Sequence, residues 1–276
     1  MIKPILGANE LAALDKSKFI LFEVSAGSKP RYDKEHLEGA FYIDLNTDLA
    51  NIHDYKNGGR HPLPVLEDFL KVLESFGVAN ESHLILYDDK NGANAAARFW
   101  WMLRSIGHEN VQVINGGYQA AVAAGFPVSA ATEPAKPSKY LRNSNWQLPT
   151  ANIDEVQAVA GDLKNVVIDV RDADRFAGLT EPIDLIAGHI PGAINVPFTE
   201  NLDAEGLFLP AEVLKEKYAT ILGNVSSEAT IVHCGSGVTA CHTLLAMDYA
   251  GLEIPKLYVG SWSEWSRRDK PMILGE

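Results

Sequence analysis

Apolar and polar positions alternate in blocks along this chain, with short apolar runs followed by longer segments whose apolar residues recur at helical spacing. Short apolar runs are typical of strands buried on both faces, and the longer segments are typical of helices with one apolar face. Strands joined by helices predict an α/β fold in which parallel sheets are flanked by helices. The predicted strands are 19–24, 84–87, 111–114, 166–170, 194–196, 229–232 and 257–259, and the clearest helices are 95–106 and 240–250.

The two halves of the chain repeat the same segments in the same order, which indicates a duplicated domain. Aligning the halves places Asp88 at the position that Cys234 occupies in the second half. The matching pairs are 36–40 (HLEGA) with 189–193 (HIPGA), 84–88 (LILYD) with 230–234 (TIVHC), 115–118 with 259–262, and 8–11 with 151–154.

A segment with several prolines among small polar residues separates the two halves. Such a composition is typical of a linker, because it offers few apolar side chains to a core. We therefore predict a first domain at residues 1–130, a linker at 131–149 and a second domain at 150–276.

Length and charge narrow the possible functions. The chain has 276 residues and a net charge of −12, which argues against nucleic acid or an anionic membrane as a partner. No apolar run approaches the roughly 20 residues of a membrane-spanning helix, and the first residues lack the apolar core of a signal peptide. The two cysteines make no disulfide framework. We therefore expect a cytoplasmic protein.

Cys234 is the residue best placed for chemistry. It follows the predicted strand 229–232 and opens a glycine-rich loop before the predicted helix 240–250. Loop N–H groups and the positive end of a helix both favour negative charge, so this position favours the thiolate. Such a thiolate can take a sulfur atom from a donor and hold it as a persulfide until an acceptor removes it.

The rest of this loop suits an anion on or near the sulfur. Gly235 and Gly237 allow the backbone to curl with its N–H groups pointing inward. Ser236 adds a hydroxyl group, and Thr239 is expected to cap the following helix.

Two other chemistries fit the loop less well. Cysteine phosphatases need an arginine six residues after the cysteine to clamp the phosphate, and Ala240 stands there. A metal site needs more suitably spaced ligands than Cys234, Cys241 and His242. We therefore expect neither a metal nor a cofactor.

With these segments the chain resembles the tandem-domain rhodanese family over nearly its whole length. The loop 234–239 (CGSGVT) is similar to the active-site loop of members that use 3-mercaptopyruvate, whereas thiosulfate-specific members carry Arg and Lys where Gly235 and Ser236 stand. The segments 188–193 and 260–265 are also similar to family segments. The resemblance implies two rhodanese-like domains, of which the first, with Asp88 in place of the cysteine, is inactive.

The same resemblance implies a sulfurtransferase that moves sulfane sulfur from 3-mercaptopyruvate, through a Cys234 persulfide, to a thiol or cyanide. The donor is a small anion, and thioredoxin is among the candidate thiol acceptors. Two alternatives stay open: thiosulfate as the donor, as in a thiosulfate:cyanide sulfurtransferase, and a non-enzymatic persulfide carrier.

The resemblance also implies site residues. Ser236 and His61 match a proton relay, whose acidic member is matched by Asn46, so either Asn46 or a nearby aspartate supports His61. Arg175 matches an arginine that binds the substrate carboxylate, and a second such arginine is missing from 181–187. The loop positions expected to bind substrate are Gly235, Gly237, Val238 and Thr239.

The two site residues that the resemblance implies outside the loop, Arg175 and His61, also have a simpler interpretation. Arg175 could be a surface arginine paired with Asp172 or Asp174, and His61 could be a loop histidine beside prolines.

Overall fold

The computed structural model describes residues 2–92, 94–140 and 145–275, and these form two compact units. Residues 52–63, from the first half of the sequence, group with the second unit, and residues 204–208 group with the first. The first unit is Met1–Asn51, Pro64–Leu148 and Ala204–Phe208, and the second is Ile52–Leu63, Pro149–Asp203 and Leu209–Glu276.

The predicted linker packs largely with the first unit. Its described residues 131–140 and 145–148 belong to that unit, where the buried Tyr140 hydroxyl lies 2.8 Å from His108 Nδ1. Residues 141–144 of the predicted linker lie outside the described residues. The division into domains at 1–130 and 150–276, with a linker at 131–149, stays a prediction.

The first unit contains a five-stranded parallel sheet in the order β1-β6-β5-β2-β4 and a small antiparallel pair, β3 and β7. Its strands are β1 (Ile5–Leu6), β2 (Ile20–Ser25), β3 (His36–Leu37), β4 (Ala40–Asp44), β5 (Leu84–Tyr87), β6 (Val111–Ile114) and β7 (Val128–Ser129). Its helices are α1 (Ala8–Ala13), α2 (Lys29–Tyr32), α3 (Leu66–Ser75), α4 (Ala95–Ser105) and α5 (Gly117–Ala123), with a 3-10 turn at Lys16–Lys18.

The second unit contains a parallel sheet in the order β10-β9-β11-β12-β8. Its strands are β8 (Thr150–Ala151), β9 (Val166–Asp169), β10 (Ile194–Asn195), β11 (Thr230–His233) and β12 (Lys256–Tyr258). Its helices are α6 (Ile153–Val159), α7 (Ala173–Phe176), α8 (Ala211–Leu222), α9 (Ala240–Tyr249) and α10 (Ser261–Trp265), with 3-10 turns at Phe198–Asn201 and Ser227–Ala229.

The two sheets have the same strand order when the strands are numbered along each unit, which confirms the duplicated α/β fold. The central strands β5 and β11 are buried along their whole lengths, as the apolar runs predict. Each central strand leads through a loop into a helix with a largely buried surface, α4 or α9. Asp88 and Cys234 follow these two strands directly, so they occupy equivalent places.

The backbone N–H groups of the loop after β5 bind a carboxylate. The Asp88 carboxylate is 1% exposed and accepts N–H groups from Lys90 and Gly92 at one oxygen and from Asn94 and Ala96 at the other. The four distances lie between 2.8 and 3.1 Å. In the first unit, therefore, four N–H groups of the loop donate to a carboxylate of the same unit, that of Asp88.

Candidate active site

Cys234 lies at the carboxyl end of β11, the middle strand of the second sheet. The residue is 3% exposed, and its sulfur accepts the N–H of Ser236 at 3.5 Å. Its own N–H donates to Ser261 Oγ at 3.2 Å, and its carbonyl accepts the N–H of Trp262 at 3.0 Å. The thiol is thus buried, but among polar backbone groups rather than in a purely apolar interior.

Several N–H groups of the loop have no acceptor in the part of the protein that the structure describes. Gly235 and Val238 are buried and Thr239 is half-buried, and their N–H groups donate to no acceptor in residues 2–92, 94–140 and 145–275. Buried N–H groups are almost always paired with protein, water or a ligand. The arrangement therefore fits an anion, like the carboxylate that the matching loop of the first unit binds.

Gly237 makes the sharp bend of this loop. Its φ is +71°, and a Cβ at this position would lie 2.5 Å from the carbonyl oxygen of Val259. No larger residue fits without moving the loop. Thr239 occupies the N-cap position of α9, but its side chain makes no capping hydrogen bond, so the predicted capping role is wrong.

His61 and Ser236 are brought together by the structure. His61 Nδ1 lies 2.8 Å from Ser236 Oγ, although the residues are 175 positions apart. The segment that carries His61 is anchored by backbone N–H groups: that of Gly58 donates to Glu264 Oε1 at 2.9 Å, and that of Arg60 donates to Ser263 Oγ at 3.0 Å. These contacts place the imidazole beside the loop of the buried thiol.

Asn46, the residue matched to the acidic member of the relay, belongs to the first unit. Its N–H donates to Asp44 Oδ1 at 2.8 Å, and the N–H of Asp44 donates to Asp48 at the same distance. The expectation that Asn46 or a nearby aspartate supports His61 stays a prediction.

Arg175 is paired with acidic side chains, but not with the two predicted from sequence. Its Nη2 donates to Glu181 at 2.7 Å and to Asp184 at 3.2 Å, and its side chain is 12% exposed. Burial by itself would lower the pKa of Arg175, but the bonds and charges of Glu181 and Asp184 outweigh it and raise that pKa. The surface pairing with Asp172 or Asp174 is therefore not what the structure shows.

Glu181 is held ionised by the same contacts. Burial acts to raise its pKa, but the N–H of Asp184 and the guanidinium of Arg175 lower it by more. Glu181 therefore keeps its negative charge next to Arg175 at all but acidic pH.

Three residues of this region were not predicted from the sequence: Arg60, Asp184 and Arg267. Asp184 has a fully buried side chain and bonds to Arg60 as well as to Arg175 and Arg267. Arg60 and Asp184 are 124 positions apart, so no periodicity could pair them. The one available signal was the adjacency of Arg60 to His61.

His233 precedes Cys234 in the chain and contacts its backbone. Its Nδ1 lies 3.1 Å from the carbonyl oxygen of Cys234, and burial lowers the pKa of His233, so the ring is neutral. Cys241 is buried, and its thiol donates to the carbonyl of Gly237 at 3.3 Å. Both residues therefore have structural contacts to the loop.

Among residues 2–92, 94–140 and 145–275, no cluster of histidine, cysteine, aspartate or glutamate has the arrangement of a metal centre. In the same residues no helix combines the length and apolar character needed to cross a bilayer.

Comparisons with known proteins concern the family and the fold of this chain. The model of the rhodanese-like domain matches the chain twice, at residues 8–124 and 152–268. A Pseudomonas aeruginosa protein named "Probable 3-mercaptopyruvate sulfurtransferase" is 38% identical over 94% of this chain and 90% of its own length. A chicken thiosulfate sulfurtransferase is 32% identical over 88% of this chain and 83% of its own. The structure of 3-mercaptopyruvate sulfurtransferase from Leishmania major superposes with a TM-score of 0.84 at 31% identity, covering 96% of this chain and 74% of that one.

Proposed function

Because this chain belongs to the rhodanese family and carries two rhodanese-like domains, we propose that it is a sulfurtransferase that uses 3-mercaptopyruvate as its sulfur donor. The sulfur is held as a persulfide on Cys234 and passed to a thiol or to cyanide. The observation that carries the proposal is the buried Cys234 sulfur, which accepts the Ser236 N–H while the Ser236 hydroxyl meets His61.

The transfer needs a nucleophile and a proton. The Cys234 thiolate attacks the sulfur of the donor, the carbon–sulfur bond breaks, and the electron pair moves onto the carbon as the enolate of pyruvate. A proton from the Ser236 hydroxyl completes pyruvate, and His61 resupplies that proton. An acceptor thiolate, with a protein dithiol such as thioredoxin among the candidates, then attacks the outer sulfur and releases Cys234.

The N–H groups of Gly235, Val238 and Thr239 stabilise the negative charge on the Cys234 sulfur and on the persulfide. Gly237 holds the bend that aims them. Both cysteines are free thiols, which suits the cytoplasmic setting that we propose.

Mass spectrometry of the intact protein tests this function directly. Incubation with 3-mercaptopyruvate is expected to add one sulfur atom to the protein, and a thiol is expected to remove it with release of pyruvate. Repeated turnover distinguishes an enzyme from a carrier, which would stop after one sulfur per chain. Steady-state rates with both donors decide the substrate, and a higher kcat/KM for thiosulfate would contradict the assignment of 3-mercaptopyruvate.

Replacing Arg175 with alanine is expected to raise KM for 3-mercaptopyruvate about 10- to 100-fold, because a charged hydrogen bond to the donor's carboxylate is lost. kcat is expected to change much less. Arg268→Ala, which removes an exposed arginine of the same unit, is the matched control. An unchanged KM in Arg175→Ala would assign this arginine a purely structural role.

A further inference from the structure

The backbone carbonyl of Cys234 accepts two hydrogen bonds, and one of them comes from a side chain. The N–H of Trp262, on α10, donates to this oxygen at 3.0 Å. Nδ1 of His233 lies 3.1 Å from the same oxygen. Since a carbonyl oxygen can only accept, the proton of the neutral imidazole is on Nδ1. His233 therefore holds the peptide group between Cys234 and Gly235 from its carbonyl side.

The imidazole of His233 is completely buried, and in residues 2–92, 94–140 and 145–275 it makes no other hydrogen bond. The carboxylate of Asp169, on the neighbouring strand β9, is 3.8 Å from Nε2, and Nε of Arg171 donates to both of its oxygens. A buried nitrogen without a partner costs stability. The bond to the Cys234 carbonyl is thus the polar contact that this ring is placed to make.

The first unit has the same arrangement without the imidazole. Asp88 stands where Cys234 stands, and its carbonyl accepts the N–H of Tyr118, on α5, at 3.0 Å. Tyr87 precedes Asp88, but its hydroxyl accepts the N–H of Leu37 at 3.1 Å. In the part of the chain that the structure describes, no side chain donates to the Asp88 carbonyl. The second donor therefore belongs to the unit that carries the thiol.

The other side of the peptide group that His233 holds carries the N–H of Gly235. A trans peptide is planar, and its C=O and N–H point in opposite directions, so fixing the carbonyl also fixes the direction of the N–H. This N–H is buried and has no acceptor among the described residues. A hydrogen bond to the carbonyl also polarises the peptide group, which makes its N–H a stronger donor.

We propose that His233 is a positioning residue for the nucleophile. Its Nδ1–H orients and polarises the peptide group after Cys234, so that the Gly235 N–H stabilises negative charge on the sulfur. That charge is carried by the thiolate before sulfur transfer and by the persulfide after it. The consequence for catalysis rests on the proposed function, whereas the effect on the thiol is independent of the sulfur donor.

Three substitutions of His233 distinguish its hydrogen bond from the bulk of its ring. Asparagine places an N–H donor as many bonds from the backbone as Nδ1, glutamine places one a bond further out, like Nε2, and leucine has no donor. The rate of alkylation by iodoacetamide at neutral pH is measured in the Cys241→Ser background, where Cys234 is the only thiol. His233→Leu and His233→Gln are expected to lower this rate about 3- to 10-fold, the effect of one hydrogen bond. His233→Asn is expected to react nearly as fast as the wild type.

Alkylation at alkaline pH distinguishes charge stabilisation from a disturbed loop. At about pH 10 a thiol is ionised whatever its neighbours, so all variants are expected to react at similar rates. Burial lowers the pKa of His233 despite the Asp169 carboxylate, so the ring is neutral at both pH values. The kcat with 3-mercaptopyruvate is expected to fall in His233→Leu and His233→Gln and to recover in His233→Asn, with little change in KM. An equal loss of alkylation rate at both pH values would overturn the proposal, because it would assign His233 to packing alone.

His36→Leu is the matched control, because His36 is also buried and its Nδ1 also meets a backbone carbonyl, that of Tyr32 at 2.7 Å, but in the first unit. Its alkylation rate is expected to equal that of the wild type. Unchanged rates in His233→Leu and His233→Gln, or equal losses in all three variants of His233, would overturn the proposal and leave the proposed function standing. A wild-type protein that gains no sulfur from 3-mercaptopyruvate would reject the proposed function, and the alkylation rates would still decide how His233 acts on the thiol.

Discussion

The Cys234→Ser variant is expected to transfer no sulfur from any donor, because an alcohol cannot form the persulfide on which the reaction depends. The fold is expected to persist, since a hydroxyl oxygen can accept the Ser236 N–H that the sulfur accepts now. The change in unfolding free energy is expected to stay within about 2 kcal/mol. Pyruvate release, intact mass and a thermal melt measure these outcomes together.

Cys241→Ser is the matched control for this variant. Cys241 is the other thiol of the chain, equally buried, and its bond to the Gly237 carbonyl can be replaced by a serine hydroxyl. It is expected to retain most of the wild-type activity. Sulfur transfer that survives in Cys234→Ser and disappears in Cys241→Ser would show that the nucleophile is wrongly assigned.

His61→Ala is expected to lower kcat with 3-mercaptopyruvate by about 10²- to 10⁴-fold, the range of a lost general acid–base group. Ser236→Ala is expected to give a similar loss, since the two side chains are in direct contact at 2.8 Å. Because they act as one relay, the double variant is expected to be little slower than either single variant. If the fold-loss of kcat in the double variant equalled the product of the losses in the two single variants, the two residues would act separately.

A sulfur donor whose leaving group needs no proton distinguishes a proton relay through His61 from a purely structural role of His61. Inorganic polysulfide gives up sulfur by cleavage of a sulfur–sulfur bond and leaves as a stable anion. Persulfide formation from it is therefore expected to be nearly as fast in His61→Ala as in the wild type. An equal loss with both donors would assign His61 to holding the loop, and His53→Ala, an exposed histidine of the same segment, controls for unspecific effects.

The contrast between Asp88 and Cys234 gives a physical reason for the proposal that the first half is inert and the second half reactive. Both residues follow the middle strand of a sheet, and backbone N–H groups of the loop that leads into the next helix come directly after them. In the first unit a carboxylate satisfies four of these groups permanently. In the second unit the sulfur accepts the Ser236 N–H at 3.5 Å, and the N–H groups of Gly235, Val238 and Thr239 donate to no acceptor among the described residues, so they stay available for a charged ligand.

The sequence alone was sufficient for the α/β fold, its duplication and the place of Cys234 directly after a strand. Strand β6 has the predicted bounds, and α4 and α9 each end one residue before their predicted ends. These features are local: a buried strand or a helix face is encoded in the periodicity of neighbouring residues. The position of Cys234 after a strand follows from the same pattern.

Only the tertiary structure decided which distant side chains surround that thiol. The placement of residues 52–63 in the second unit, the contact of His61 with Ser236 and the sharing of Asp184 by three arginines join segments far apart in the chain. The structure also shows that the Thr239 side chain makes no capping hydrogen bond to helix α9, contrary to the prediction. Such pairings depend on how whole segments pack and how buried charges find partners, and neither leaves a periodic trace in the sequence.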